Sequence, residues 1–149
     1  MKSLIVLYSK TGNTLGVAKR LQEASKFDLR EVTAQSDDPN ILKPELVEIP
    51  DVKGYDHLIF ASPVHGFNLS HIMDAYLKRL PNLSGKTVDL FVTHFFPFAW
   101  MGGTRTLKQM KKLVEAKNGK VDKMTSVNWK SKKREEVIVK MIEAYSVEN

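Results

Sequence analysis

An apolar run, Leu4-Ile5-Val6-Leu7-Tyr8, leads straight into Ser9-Lys10-Thr11-Gly12-Asn13-Thr14, and an amphipathic stretch follows at once. The run is rich in β-formers and unbroken by polar residues, the pattern of a strand buried on both faces. From Thr14 onward, Leu15, Val17, Ala18, Leu21 and Ala24 recur at helical spacing. The six residues between are therefore a tight strand-to-helix turn. Ser9, Thr11 and Thr14 place three hydroxyls there, and Gly12 allows a backbone conformation closed to other residues. The first turn of a helix leaves its N–H groups unpaired, and the helix dipole adds about half a positive charge. Hydroxyls, amides and dipole together make a phosphate site. A single capping hydroxyl would satisfy the helix end, so three with a glycine point to a ligand.

Neither the nucleotide-hydrolase pattern G-x-x-x-x-G-K-[ST] nor the dinucleotide pattern G-x-G-x-x-G follows the first strand. Position for position, Ser9-Lys10-Thr11-Gly12-Asn13-Thr14 resembles the [ST]-x-T-G-x-T phosphate loop of flavodoxins and flavodoxin-like flavoproteins. That family binds flavin mononucleotide (FMN), and it holds the phosphate by hydroxyls and backbone amides with no obligatory cation.

The rest of the chain alternates strand and helix. Asp28–Thr33 reads as a short, polar second strand at a sheet edge, His57–Ala61 as the third and Thr87–Thr93 as the fourth. Lys120–Trp129 reads as a weaker fifth. Helical faces are marked by Ile72, Met73, Tyr76, Leu77 and Leu80, by Leu107, Met110, Leu113 and Val114, and by Val137, Ile138, Met141, Ile142 and Tyr145. Residues 34–54, interrupted by Pro39, Pro44 and Pro50, read as a loop with room for one short helix. This alternation predicts an α/β three-layer sandwich in one domain spanning residues 1–149: a five-stranded parallel sheet of order 2-1-3-4-5 with helices on both faces. In such a sheet a ligand binds at the carboxyl ends of the strands, where the order reverses. That rule selects the loops 9–14, 62–68 and 94–103. The resemblance spans essentially the whole chain and matches the short-chain branch of the flavodoxin family.

In that family the loop after the third strand lies against the flavin ring. Here it is Ser62-Pro63-Val64-His65-Gly66-Phe67-Asn68. A family peptide at this point, turning its N–H or C=O toward flavin N5, sets how readily the flavin holds a single electron. Gly66 suits that role, and Phe67 or His65 is placed to cover a ring face. The second loop, His94-Phe95-Phe96-Pro97-Phe98-Ala99-Trp100-Met101-Gly102-Gly103, crowds four aromatics beside a proline and two glycines. So many aromatics in a turn are costly unless they cover something flat and apolar. Many flavodoxins use an aromatic lid, which the resemblance assigns to Trp100 or Phe98, with Phe95 and His94 nearby. Gly102-Gly103 resembles the Gly-Gly turn of flavodoxin-like quinone and flavin reductases, whose amides face the pyrimidine edge.

Composition narrows the chemistry. The 149 residues contain no cysteine, which excludes thiol, disulfide and iron–sulfur chemistry and leaves redox work to a bound cofactor. No apolar run approaches membrane-spanning length, and the chain begins directly in a strand, so a cytoplasmic protein without a membrane role is expected. The net charge is +6. Residues 1–103 are balanced at eleven basic and eleven acidic, whereas residues 104–149 carry twelve against six. Electron-carrying flavodoxins are strongly acidic, so this chain departs from their pattern.

The leading reading is an FMN-binding redox protein that passes electrons to a protein partner, with the basic surface suggesting an acidic one. The alternative is a reductase of quinones or flavins driven by NAD(P)H. A phosphorelay receiver shares the topology, but Tyr8-Ser9 and Ala61-Ser62 stand where its acidic residues belong. The basic runs Lys111-Lys112 and Lys130–Arg134 lack interleaved aromatics, so a nucleic-acid partner is not expected.

Overall fold

The computed structural model describes residues 2–95 and 102–147. The elements in chain order are β1 (Ser3–Leu7), α1 (Asn13–Ser25), β2 (Asp28–Glu31), β3 (His57–His65), β4 (Asn68–Leu69), α2 (His71–Lys78), β5 (Thr87–His94), α3 (Gly103–Glu115), β6 (Lys120–Asn128) and α4 (Arg134–Tyr145). The sheet runs β2-β1-β3-β5-β6, all parallel, with β4 folded back antiparallel on β3. Counting only the parallel strands, this is the anticipated order 2-1-3-4-5, and the small β4 is an addition.

Every residue of β1 is buried, as an apolar run between two helical layers requires. One core lies under α2 and α3 and gathers Leu4, Val6, Phe60, Tyr76, Leu90 and Met110. The other lies under α1 and α4 and gathers Ile5, Leu7, Leu21, Ile59, Phe91 and Tyr145. Successive β1 residues thus feed opposite layers, following the period of two along a strand. The Tyr145 hydroxyl ties α4 to the sheet by donating to the Leu90 carbonyl at 2.6 Å.

Between β2 and β3 the chain forms no helix among the described residues. Instead Thr33 and Val47 pair their backbones, an antiparallel bridge joins Ala34 to Leu46, and the Tyr76 hydroxyl donates to the Pro50 carbonyl at 2.7 Å. Three prolines without N–H groups explain why the segment stays extended. Ile41, Leu42, Val47 and Ile49 are left exposed in it.

At the amino end of the sheet a polar chain is buried. Ser3 Oγ lies 2.9 Å from His57 Nδ1, and His57 Nε2 lies 2.7 Å from Asp89 Oδ2. The β5–β6 register shifts at Asp89, and the Lys123 N–H donates to Asp89 Oδ1 at 2.9 Å. One carboxylate therefore satisfies both the imidazole and the amide freed by the irregularity. No helix among the described residues is long and apolar enough to cross a membrane.

Candidate functional site

The carboxyl ends of β1, β3 and β5 lie at one end of the sheet, where the loops 9–14 and 62–68 and the described residues of 94–103 are found. The turn after β1 is open at Gly12. Gly12 has φ 96°, inside the region that favours glycine, and nothing lies within 4 Å of where a side chain would begin. Ser9 Oγ folds back over the helix start, accepting from the Gly12 N–H at 3.1 Å and the Leu15 N–H at 3.3 Å. Among the described residues, no hydrogen bond engages the backbone N–H of Thr11, Asn13 or Thr14. Thr11 and Lys10 are exposed, and the Lys10 ammonium reaches away to the Asp37 carbonyl at 2.9 Å. These N–H groups without a protein partner stand at the positive end of α1, an arrangement that suits an anion.

The three hydroxyls do not share one task. Ser9 caps the helix, Thr11 faces outward, and Thr14 is 1% exposed with its Oγ1 2.8 Å from Thr93 Oγ1 on β5. Within the protein, then, Ser9 shapes the turn and Thr14 joins it to the sheet, while the Thr11 side chain is exposed.

The second loop is largely strand. Ser62, Pro63, Val64 and His65 continue β3, and a two-residue turn at Gly66 and Phe67 (φ 53° and 69°) returns the chain to Asn68. Both φ values are positive, the geometry of a tight hairpin. Ser62 is fully buried, its Oγ 2.9 Å from Ser70 Oγ, and Ser70 in turn caps α2. Phe67 is 43% exposed at the tip, a backbone conformation that costs a bulky residue about 1–2 kcal/mol. The His65 ring meets Tyr8 edge to face at 6.1 Å. Burial, with the nearby Lys10 and His71 charges, holds the His65 imidazole below its usual pKa, favouring the neutral form. Burial and the carboxylate of Asp37, 3.4 Å from the phenol, push Tyr8 up to about 12.

Phe95 follows β5 and is 48% exposed, while His94 is buried. Phe98 and Trp100 lie outside the described residues. Gly102 and Gly103 are both buried where α3 begins. A side chain on Gly102 would approach Val64 Cγ1 to 2.9 Å and Phe67 Cα to 3.2 Å. On Gly103 it would meet Ser126 Oγ at 2.1 Å and the His94 ring at 3.1 Å. The glycine pair therefore lets α3 seat directly against the hairpin and the end of β5.

A side-chain relay invisible in the sequence fixes that hairpin. Asn68 Nδ2 donates to the Gly66 carbonyl at 3.2 Å, and Asn68 Oδ1 accepts from Arg105 Nε at 3.0 Å and Gln109 Nε2 at 3.1 Å. Gln109 Oε1 also accepts from the Leu69 N–H at 2.9 Å. Amide side chains on a helix forty residues away carry no local signal of this role. Thr93 and Asp37 were missed for the same reason.

Solved structures share this architecture. A candidate flavoprotein from Bacteroides eggerthii DSM 20697 superposes with a TM-score of 0.74 at 18% identity, covering 99% of each chain. A flavoprotein from Lactobacillus acidophilus NCFM in complex with FMN gives 0.72 at 17%, over 98% of this chain and 99% of that one. Oxidised Flavodoxin 2 from Bacillus cereus gives 0.69 at 15%, over 98% of both. No protein-family model and no curated protein matches the sequence. The chain has the flavodoxin-like fold.

Proposed function

We propose that this chain is an FMN-binding redox protein and that the Ser9–Thr14 turn holds the FMN phosphate. The observation that carries the reading is the open cradle formed by the Thr11, Asn13 and Thr14 amides around Gly12, at the amino end of α1. Its place after the first strand of a flavodoxin-like fold adds support, as does the FMN complex of the Lactobacillus acidophilus neighbour.

Bound there, FMN supplies the capacity to accept and release electrons, which a chain without cysteine lacks. The residues of the chain bind and orient it. Ser9 keeps the turn in shape, the three amides and the Thr11 hydroxyl meet the phosphate, and the helix dipole favours its charge. The Thr14–Thr93 contact fixes the turn relative to β5, from whose end the aromatic loop departs. Phe67 and Phe95, exposed after adjacent paired strands, offer apolar cover for a ring, and Trp100 or Phe98 completes that cover in this reading.

The function is electron transfer to or from a protein partner. A second reading, reduction of quinones or flavins by NAD(P)H, draws on the basic surface of α3. The visible spectrum of the purified protein tests the shared premise: flavin absorption, or its appearance on adding FMN, supports it. A colourless protein that FMN does not restore overturns it. Oxidation of added NADH or NADPH by the flavin-loaded protein separates the two readings.

A further inference from the structure

A furrow runs along the exposed face of α3. Its upper part, 460 Å³, is lined among the described residues by Thr104, Arg105, Lys108, Gln109 and Lys112, all on α3. Its lower part, 440 Å³, shares Gln109 and Lys112 and continues past Leu69, Leu113 and Lys78. Asp74 is the one carboxylate among these lining residues, and Lys78 already neutralises it at 2.9 Å. Among the described residues no carboxylate pairs with Arg105, Lys108 or Lys112. Arg105 is exposed and donates its Nε to Asn68, and among the described residues its outer two nitrogens make no hydrogen bond, leaving a fork suited to a carboxylate.

We infer that this furrow docks an acidic protein partner, one that presents carboxylates on either side of an apolar residue. Three unpaired cations on one helix face supply the charge complementarity. The half-buried Leu113 beside these cations favours a protein over a nucleic acid, whose phosphates would leave that apolar side chain uncovered. The inference deepens the electron-transfer reading by naming the partner's chemistry. Arg105 links the two sites: through Asn68 it holds the Gly66 carbonyl of the turn beside the proposed flavin. A carboxylate arriving on the open fork therefore lands one residue from that turn and brings the partner to its edge.

Binding at the furrow does not require the flavin, so its test is separable. The probe is a synthetic amphipathic peptide with a glutamate face and a leucine face, titrated into the full-length isotope-labelled protein with and without FMN. The expected result is amide shifts confined to residues 68–78 and 104–113, weakening as salt rises. The double reversal Lys108→Glu with Lys112→Glu should weaken binding by about tenfold or more, because it places like charges against the peptide. The control reversal Lys132→Glu with Lys133→Glu changes net charge equally at a distant basic run and should alter affinity less than about twofold at physiological salt. Equal losses in the two reversals, or shifts centred outside the furrow, overturn the inference. So does tighter binding of a single-stranded oligonucleotide than of the peptide at the same residues. A peptide that binds a protein unable to take up FMN would leave the docking surface standing while the flavin reading fell.

Discussion

Thr14 and Thr93, 79 positions apart in sequence, meet hydroxyl to hydroxyl at 2.8 Å and tie the turn after β1 to the end of β5. Thr14 is thereby a structural member of the turn, whereas Thr11 is exposed. A Thr14→Val substitution leaves the Thr93 hydroxyl buried without its partner and should cost about 1–3 kcal/mol of folding stability. A Thr11→Val substitution should cost almost nothing in stability yet weaken FMN binding. Chemical denaturation and flavin titration of the two variants check the division; the reverse ranking would return Thr14 to the ligand.

Phe67 bears a positive φ that asparagine tolerates better. Relieving that backbone cost at an exposed hairpin tip favours the folded state. Phe67→Asn should therefore leave the melting temperature unchanged or raise it, while loosening the hold on the flavin ring. Melting curves and FMN affinity measured on the same preparation show whether stability and binding move in opposite directions.

His65 titrates below its usual value near 6.5 because of burial first, then the charges of Lys10 and His71. Between that lower folded value and the unfolded one, the unfolded chain binds more protons, so stability falls as pH is lowered through this window. Replacing His65 with glutamine should flatten the slope there. Lys10→Gln removes one of the lowering charges and should raise the His65 midpoint. Proton NMR titration of the imidazole reads the midpoint directly.

Asp89 holds His57 and the Lys123 amide inside the sheet. Asp89→Ala strands two buried polar groups at about 1–3 kcal/mol each. The loss should appear in global unfolding but not in the relative affinities for FMN and riboflavin, because the network sits at the amino end of the sheet.

The sheet order and four helical faces were legible because burial imposes period on sequence: β1 lies between two layers and is unbroken by polar residues from Leu4 to Leu7. Residues 34–54 gave no such pattern. They are held by remote partners, the Tyr76 hydroxyl on the Pro50 carbonyl and the Thr33–Val47 pairing, which no local window contains. The hairpin at Gly66 was legible as a loop but not as an extension of β3. Its anchor is Gln109 on α3, 40 positions from Leu69. In the turn itself, residue types predicted an anion site but not how its hydroxyls divide, since Thr14 is claimed by a strand from the other half of the chain.

If the Ser9–Thr14 turn holds a phosphate, the flavin that carries one must bind better than the flavin that lacks it. Calorimetric titration of the apoprotein with FMN and with riboflavin, which differ in that one group, tests it most directly. Charge-assisted hydrogen bonds from several backbone amides contribute about 1.5–3 kcal/mol each, so FMN should bind at least about a hundredfold more tightly. Equal affinities for the two flavins would contradict the assignment of the Ser9–Thr14 turn.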